Sequence, residues 1–396
     1  MTARTTHRYA VLGAGRQGQA AAYDLALRGE AREILLADAD PARASAARDW
    51  LAARLPAAQP AIMTAPVDGE DENGLRAVLA GRDAAISALP YRFNLGATRA
   101  AIAAGCPLCD LGGHTGITRE QLALGGVATA RGIAIVPDCG QAPGMATSLM
   151  VLALSLVDEP HTLEVWDGGL PLDPQPPLGY RLLFSVEGLT NEYDGPCYNL
   201  RDGKVVDLDS LSEAQQVEFG PPLGRLEAFC ASGTASTFPW TWEGRLRTFT
   251  SRILRYPGHL EQIRTLKRLG FFGEQPVAVG GQPVVPRRLT EALLERLLQG
   301  EGPIRDVVVV RVHASGHKNG RPARAEIDAR VECDPAIGLS AMQRCTGFDA
   351  AIVAAMLARG EIRPGVHTRE TAVDPERYAA ELERRGMGVA RRVVAL

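Results

Sequence analysis

The chain has 396 residues, of which 46% are hydrophobic and 22% are charged, and its formal net charge is −3. This length and composition are typical of a globular protein with about two domains. No run of lysine and arginine indicates a nucleic-acid or membrane-surface partner, and no apolar run is long enough to predict a transmembrane helix. The seven cysteines are scattered and odd in number. This pattern is typical of a reducing compartment, so we expect a cytoplasmic protein.

The first 150 residues alternate short apolar runs with helical patterns. Strands are predicted at 9–12, 33–37, 61–67, 84–89, 107–111 and 133–137, and helices at 17–27, 41–55, 74–79, 95–104 and 119–131. This alternation predicts an α/β fold with a doubly wound parallel sheet, the Rossmann fold. A ligand of such a sheet lies at the carboxyl ends of its strands.

A glycine-rich turn follows the first predicted strand. Gly13, Gly15 and Gly18 fit the pattern G-x-G-x-x-G and precede an alanine-rich helical segment. In this pattern the glycines allow a tight turn, a close approach to a pyrophosphate, and close packing of the helix on the sheet. Asp38 ends the next apolar run, where a carboxylate accepts hydrogen bonds from the adenosine ribose. The turn therefore predicts NAD as the cofactor, whereas Arg16, which could face a phosphate, leaves NADP open.

The second half of the chain has a different pattern. A Pro/Gly-rich passage at 168–177 precedes strand-like segments, and Asp202-Gly203 and Asn319-Gly320 are hairpin signals. These features predict a mostly antiparallel α+β domain. A helical run at 348–359 follows, and we expect it to pack back on the cofactor domain. We therefore predict an NAD-binding domain from residues 1–140 and 341–396, and a substrate-binding and oligomerisation domain from residues 141–340.

Polar residues with possible chemistry follow the fifth predicted strand and a later strand-like run. Asp110 and His114 flank a Gly-Gly pair, and either could act on a substrate proton. Arg255 suits bidentate capture of a carboxylate, and His259 could move protons or bind an amine. Each of these residues could instead be structural, for example as a turn cap or a solvated side chain. No metal is predicted, because no ligand spacing such as His-Glu-x-x-His is present.

Several segments together resemble the lysine 6-dehydrogenases of the saccharopine dehydrogenase-like family. They extend along nearly the whole chain and include Val-Leu-Gly-Ala-Gly at 11–15, Asp-Leu-Gly-Gly-His at 110–114, Gly-Gly-Leu-Pro at 168–171 and Leu-Gly-Phe-Phe at 269–272. Others lie at 137–144, 176–180, 211–213, 226–233 and 255–261. The resemblance implies a homo-oligomer and cofactor contacts from Gly13, Gly15, Arg16, Gln17, Gly18, Asp38, Ser87, Ala88, Leu89, Pro90, Leu111 and Gly112.

The resemblance also implies an activity: NAD-dependent oxidative deamination of the ε-amino group of L-lysine. The product would be 2-aminoadipate 6-semialdehyde, which cyclises to a piperideine carboxylate, and ammonia would be released. Asp110 or His259 would then be the catalytic base and Arg255 would hold the α-carboxylate, with Tyr180 also contacting the substrate. A substrate contact is also expected for His114, but from its position after the fifth predicted strand and not from the resemblance. Two alternatives stay open: an imine-forming reductase of the saccharopine or carboxynorspermidine dehydrogenase type, and a non-catalytic NAD-binding sensor.

Overall fold

The computed structural model describes residues 6–56 and 60–396. The strands are β1 (His7–Leu12), β2 (Ala31–Asp38), β3 (Ala61–Pro66), β4 (Ala84–Ser87), β5 (Leu108–Asp110), β6 (Ala134–Val136), β7 (Glu159–Pro171), β8 (Pro196–Arg201), β9 (Lys204–Asp209), β10 (Gln215–Glu218), β11 (Arg225–Phe229), β12 (Thr248–Arg255), β13 (Val277–Val279), β14 (Gln282–Val284), β15 (Asp306–Lys318), β16 (Arg321–Glu332), β17 (Gly365–Val366) and β18 (Val389–Ala395). The helices are α1 (Arg16–Arg28), α2 (Pro41–Ala52), α3 (Glu72–Leu79), α4 (Asn94–Ala104), α5 (Thr115–Ala123), α6 (Gly125–Ala130), α7 (Met145–Ser155), α8 (Val186–Tyr193), α9 (Phe238–Trp242), α10 (His259–Arg268), α11 (Pro286–Leu298), α12 (Ala341–Ala358), α13 (Arg369–Ala372) and α14 (Pro375–Glu383). Within these described ranges no helix is both long and apolar enough to cross a membrane.

The chain forms two compact units. Unit 1 contains the residues up to Leu152 together with Ser236–Thr241 and Gln343–Gly388. Unit 2 contains Ala153–Ala235, Trp242–Met342 and Val389–Leu396. Each unit is therefore assembled from segments that are far apart in the sequence.

Unit 1 is built on a parallel sheet with the strand order β17-β6-β5-β4-β1-β2-β3. Apolar side chains of the strands pack against α3 and α4 in one core, which includes Leu12, Leu35, Leu75, Ala101 and Ile135. The chain order reverses on either side of β1, which is the ligand-binding switch point of doubly wound folds. The predicted Rossmann fold is thus confirmed, and β17 adds a seventh strand that the sequence pattern did not predict.

Local sequence explains where the helices of unit 1 begin and end. Asp40 caps α2 by accepting hydrogen bonds from the backbone N–H groups of Ala42 and Arg43. Helix α4 ends at Gly105, whose φ of +72° is the left-handed conformation that glycine favours. The single helix predicted at 119–131 is instead two helices, α5 and α6. The break lies next to the Gly125-Gly126 pair, and glycine is a poor helix former.

Unit 2 is built on a mixed sheet with the order β10-β11-β12-β7-β15-β16-β18, and β8 pairs with both β12 and β9. The β12–β7 pair is parallel, and the other pairs of this sheet are antiparallel. Both predicted hairpins are present: β8 and β9 turn at Asp202-Gly203, and β15 and β16 turn at Asn319-Gly320. The φ angles at these four positions lie between +49° and +78°, as two-residue hairpin turns require.

The structure corrects the prediction in two places. The predicted Pro/Gly-rich passage begins with Gly168 and Gly169, which lie inside β7. A Cβ at Gly168 would lie 2.8 Å from the Leu254 carbonyl oxygen, so glycine here allows neighbouring strands to pack closely. The predicted C-terminal helix is present as α12, which belongs to unit 1 from Gln343 onwards, and a Cβ at Gly347 would lie 2.7 Å from the Ala20 Cβ. The last strand, β18, pairs with β16 and so belongs to unit 2, not to the cofactor domain as residues 341–396 were assigned.

Candidate functional site

The glycine-rich turn between β1 and α1 has the geometry of a phosphate-binding loop. Gly13 has a φ of +92°, and a Cβ at Gly18 would lie 1.9 Å from the Gly13 carbonyl oxygen, so neither position accommodates a side chain without a shift. Gly15, by contrast, has no atom within 4 Å of its Cβ position. Helix α1 has no side-chain cap and no acid in its first turn. Its N-terminal N–H groups therefore fit an anionic pyrophosphate.

Asp38 is tied to this loop. Its carboxylate accepts hydrogen bonds from the Ala14 N–H at 2.8 Å and from the Asp40 N–H at 2.9 Å. The side chain is nearly buried, and the guanidinium of Arg43 lies 3.4 Å from it. The predicted ribose-binding acid thus lies beside the predicted phosphate-binding loop. Arg43 is a neighbour that sequence spacing did not single out.

The other predicted cofactor-binding residues follow β4 and β5 at the same edge of the sheet. Ser87, the last residue of β4, is in register with Leu12 of β1 and with Asp110 of β5. The Ser87 hydroxyl donates to the side-chain oxygen of Asn94 at 2.9 Å, which fixes the start of α4. The structure thereby brings together, at the carboxyl ends of β1, β2, β4 and β5, the set Gly13, Gly15, Arg16, Gln17, Gly18, Asp38, Ser87, Ala88, Leu89, Pro90, Leu111 and Gly112.

Asp110 has a buried position inside unit 1. Its carboxylate accepts hydrogen bonds from Asn94 Nδ2 at 3.0 Å, Gln121 Nε2 at 2.7 Å and the Gly112 N–H at 2.8 Å. Burial raises the pKa of this carboxyl group, although the hydrogen bonds oppose that shift. These contacts describe a residue that holds the loop after β5, which is the structural alternative considered for Asp110. The structure gives it no exposed oxygen with which to meet a substrate.

His114 caps helix α5. Its Nδ1 accepts a hydrogen bond from the Ile117 N–H at 3.3 Å, and its ring stacks on Tyr91 with 5.3 Å between ring centroids. This Nδ1 atom is therefore used by the fold. The contacts favour the structural alternative for His114 over the predicted substrate contact.

Asp138, two residues after the end of β6, was not among the predicted site residues. It has a φ of +63°, which is uncommon for a residue other than glycine. Its carboxylate accepts hydrogen bonds from the Ser236 hydroxyl at 2.5 Å and the Thr118 hydroxyl at 3.2 Å. Burial and the nearby Asp110 raise its pKa to about 8. Its place at a strand end was visible in the sequence, but the contact with Ser236, 98 positions away, was not.

A Cβ at Gly112 would lie 2.3 Å from Asp138 Oδ1. Gly112 also has a φ of +69°. The Asp138 carboxylate therefore packs directly against the backbone of a predicted cofactor loop. A titratable group with a perturbed pKa in such a place is a functional-site candidate.

In unit 2 the structure brings together three predicted site residues: Tyr180, Arg255 and His259. Arg255, the last residue of β12, is buried and donates to Glu192 Oε2 at 2.6 Å and to the Tyr193 hydroxyl at 3.3 Å. Its guanidinium lies 4.6 Å from the centroid of the Tyr180 ring. The cation is thus held between a carboxylate and aromatic faces. We call these five residues (Tyr180, Glu192, Tyr193, Arg255 and His259) the arginine cluster.

His259 has a defined tautomer. Its Nδ1 lies 2.9 Å from the Leu178 carbonyl oxygen, which can only accept, so Nδ1 carries the proton. Its Nε2 therefore accepts from the Tyr193 hydroxyl at 2.8 Å. Burial and the charge of Arg255 lower the pKa of His259 to about 3. His259 is accordingly neutral at physiological pH, and its lone pair is already used.

The Tyr180 hydroxyl differs from the rest of the arginine cluster. It is buried, and among the described residues it has no hydrogen-bond partner. Burial raises the pKa of this phenol, so the group stays protonated and can donate. Buried donors are nearly always hydrogen-bonded, so this hydroxyl is a candidate donor to a bound ligand.

A glycine-rich loop on a parallel sheet, together with a second, mixed-sheet unit, is typical of two-unit oxidoreductases that use a nicotinamide dinucleotide. Residues 9–136 match the family model described as the saccharopine dehydrogenase NADP binding domain. Residues 140–387 match the model described as the saccharopine dehydrogenase C-terminal domain. The chain belongs to the saccharopine dehydrogenase family.

The chain is also similar to several solved structures. An apo saccharopine dehydrogenase (L-Glu forming) from Saccharomyces cerevisiae is 19% identical with a TM-score of 0.77, and the match covers 98% of this chain and all of that one. A probable dehydrogenase from Thermotoga maritima is 11% identical with a TM-score of 0.43, and the match covers 98% of each chain. A myo-inositol dehydrogenase from Corynebacterium glutamicum is 12% identical with a TM-score of 0.40, and the match covers 99% of each chain. At 19% identity the yeast enzyme supports the fold, and substrate choice has to be argued from this chain's own residues.

Proposed function

We propose that this protein is an NAD-dependent dehydrogenase that removes the ε-amino group of L-lysine. In the overall reaction the ε-carbon loses a hydride to the dinucleotide, water supplies the carbonyl oxygen, and the nitrogen leaves as ammonia. The aldehyde product is 2-aminoadipate 6-semialdehyde, which cyclises. The observation that carries the proposal is the arginine cluster, which offers a buried cation and an unpartnered hydroxyl in a family of amino-acid oxidoreductases.

The arginine cluster suits the α-carboxylate of an amino acid. A guanidinium has five N–H groups, and the described contacts of Arg255 with Glu192, Tyr193 and the Leu254 carbonyl use three nitrogens once each. The remaining N–H groups and the Tyr180 hydroxyl are donors, which a carboxylate requires. His259 positions Tyr193, so we assign it a positioning role and no longer the role of a base.

A proton acceptor for the reaction is available in unit 1. Oxidation of an amine starts from its unprotonated form, so an efficient base has a pKa near the working pH. Asp138, with a pKa raised to about 8 and a hydrogen bond from Ser236, meets this requirement. We therefore propose Asp138 as the group that takes up the proton.

Asp38 supports NAD over NADP. A carboxylate at the end of β2 accepts hydrogen bonds from ribose hydroxyls and repels a 2′-phosphate. The name of the matching family model and the guanidinium of Arg43, 3.4 Å from Asp38, support NADP as the alternative. We propose NAD, because the carboxylate is nearly buried at the loop whereas the Arg43 side chain is 57% exposed.

The decisive assay measures formation of the reduced dinucleotide by the purified protein with NAD or NADP, combined with lysine, ornithine or other diamines. We expect reduction of NAD with lysine and release of one ammonia per turnover. Reduced-dinucleotide consumption only when an amine and a keto acid or aldehyde are both present would instead identify an imine-forming reductase. Tight NAD binding without turnover of any amine would identify a sensor. The cytoplasmic location stays a prediction.

We also propose that the protein is a homo-oligomer and that α11 forms part of the interface. Leu289, Leu293 and Leu297 are 45–51% exposed and recur every four residues, so they form one stripe on the helix. Val277 and Val279 of the preceding hairpin are also about half exposed. Apolar side chains concentrated in this way are typical of an interaction surface. A leucine stripe with this spacing can interdigitate with the same stripe of a second copy about a two-fold axis.

Light scattering during size-exclusion chromatography tests this assembly. We expect an oligomer for the unmodified protein and a smaller species for Leu293→Glu. The control is Leu27→Glu, which changes an exposed leucine of unit 1 and should leave the mass unchanged. A monomeric unmodified protein at micromolar concentration would contradict the proposal.

A further inference from the structure

Two histidines and a glutamate meet at one end of the mixed sheet of unit 2. Glu159 and His161 lie two residues apart near the start of β7. His317, near the end of β15, is directly opposite Glu159 in the strand register. The three residues therefore converge from two neighbouring strands.

A β-bulge brings these side chains together. The register of β7 and β15 shifts between Ser315 and Gly316, so that Ser315 pairs with Thr162 and Gly316 with Pro160. His161 is the extra residue of this irregularity. A Cβ at Gly316 would lie 1.9 Å from the Glu159 carbonyl oxygen, so glycine is needed for the strands to approach here. Bulges of this kind re-aim a side chain at a functional site.

The distances suit a metal ion. One ligand atom from each of the three side chains lies within 4.8 Å of the others, and the two imidazole rings have centroids 5.1 Å apart at an angle of 63°. His317 Nδ1 lies 3.8 Å from Glu159 Oε2, and among the described residues this buried nitrogen has no hydrogen-bond partner. Glu159 and His161 are exposed, so an ion can reach the site from solvent.

We infer that Glu159, His161 and His317 bind a divalent transition-metal ion, with Zn²⁺ as the favoured occupant. Two imidazoles and one carboxylate are a ligand set that zinc accepts, with water completing the tetrahedron. The imidazole nitrogens disfavour Mg²⁺ and Ca²⁺, which prefer oxygen ligands. The nearby Asp158 already accepts from Lys318 at 2.9 Å and from the Asn319 N–H at 2.7 Å, so it is left out of the set.

The inferred ion would join the first residues of β7 to the last residues of β15. Because the ion would bind the folded state, it would raise the free energy of unfolding, and by more at a lower Kd. The site shares no residue with the arginine cluster or with the dinucleotide loop. Its occupancy is thus independent of the proposed lysine dehydrogenase activity, and each proposal can fail without the other.

The test is a calorimetric titration of the full-length, chelator-treated protein with ZnCl₂, together with visible spectra of the Co²⁺-loaded protein. We expect about one ion per chain in the micromolar range or tighter. His161→Ala and His317→Ala should each weaken binding at least tenfold, whereas Asp158→Asn and the distant His7→Ala should leave it unchanged. Zinc should raise the melting temperature of the unmodified protein and not that of His317→Ala.

Equal melting temperatures of the metal-free variants would establish that the substitutions leave the fold intact. Binding that survives both histidine substitutions would overturn the inference, as would no detectable binding by the unmodified protein. A thiolate-to-cobalt charge-transfer band would also overturn it, because the bound ion would then lie on cysteines.

Discussion

Glu192→Gln tests whether the arginine cluster holds a charged guanidinium in the interior. The Arg255 and Glu192 side chains are 3% and 17% exposed and are joined at 2.6 Å. Glutamine keeps the shape and one acceptor but removes the balancing charge, so the buried cation is left uncompensated. Breaking a buried ion pair in this way lowers the free energy of unfolding by about 3–5 kcal/mol. Because glutamine retains one acceptor, we expect a loss of about 3 kcal/mol for this variant. For a unit of this size that corresponds to a fall in melting temperature of roughly 6–12 °C.

A matched control lies on the same helix. Glu187 pairs with Arg288 at 3.5 Å, and the Arg288 side chain is 69% exposed, so Glu187→Gln should cost less than about 1 kcal/mol. Both variants can be compared by circular dichroism during thermal unfolding. Adding Arg255→Met to Glu192→Gln should recover part of the lost stability, because the unpaired buried guanidinium is then removed. The reasoning is refuted if the two glutamate variants melt within about 2 °C of each other, or if the double variant melts below Glu192→Gln.

Three further substitutions probe the other assignments. Asp38→Ala should lower the ratio of kcat/KM for NAD to that for NADP at least tenfold, whereas Asp40→Ala, at the exposed cap of α2, should leave the ratio unchanged. His259 has a pKa near 3 in the folded protein against about 6.5 when unfolded, so its contribution to stability is complete above pH 6.5 and is lost as the pH falls towards 3. Urea unfolding between pH 4 and 7 should therefore show a smaller acid loss for His259→Gln, and parallel curves would contradict this. The pH dependence of stability due to Asp138 has the opposite direction. Its pKa is raised from 3.8 to about 8 in the folded protein, so its contribution to stability is lost as the pH rises from about 4 to 8. Asp138→Asn should remove this loss of stability with rising pH, and it should also remove the rise of kcat near pH 8. A rise of kcat that persists in the variant would show that another group is the base.

The sequence predicts unit 1 well because its elements follow local rules. A buried parallel strand is a short apolar run, and each run from β1 to β6 is followed by a helix. β17 escapes prediction because it contains two residues and is defined by pairing with β6. The glycines inside β7 were misleading for a related reason. Gly168 is required by the backbone of β12, which approaches it closely, and Gly169 by side chains that pack against it, including those of Met342 and Leu183.

The sequence singled out several residues of the candidate site, but it did not predict the contacts that surround them. Sequence position places Asp110 at a strand end, yet the donors that surround it come from α4, α5, the loop at Gly112 and the backbone of Asp138. The tautomer of His259 depends on the Leu178 carbonyl, 81 positions away. The inferred metal site contains both His161 and His317. These residues are too far apart in the sequence for any metal-ligand motif to include both. In each case the role is set by long-range contacts that a linear pattern does not contain.

The cofactor loop was easier to predict than the substrate residues because the two proposed ligands, a dinucleotide and an amine, differ in chemistry. A dinucleotide always presents the same pyrophosphate and ribose, so backbone N–H groups at a helix start and one carboxylate suffice to bind it. Glycines shape such a backbone site, and glycines at fixed spacing are readable in a sequence. An amine substrate has to be distinguished from similar amines by side chains whose charge is tuned by burial, as Glu192 and Tyr193 tune Arg255. The cofactor class is therefore predictable from local sequence, whereas the proposed choice of lysine as substrate depends on contacts that form only when unit 2 folds.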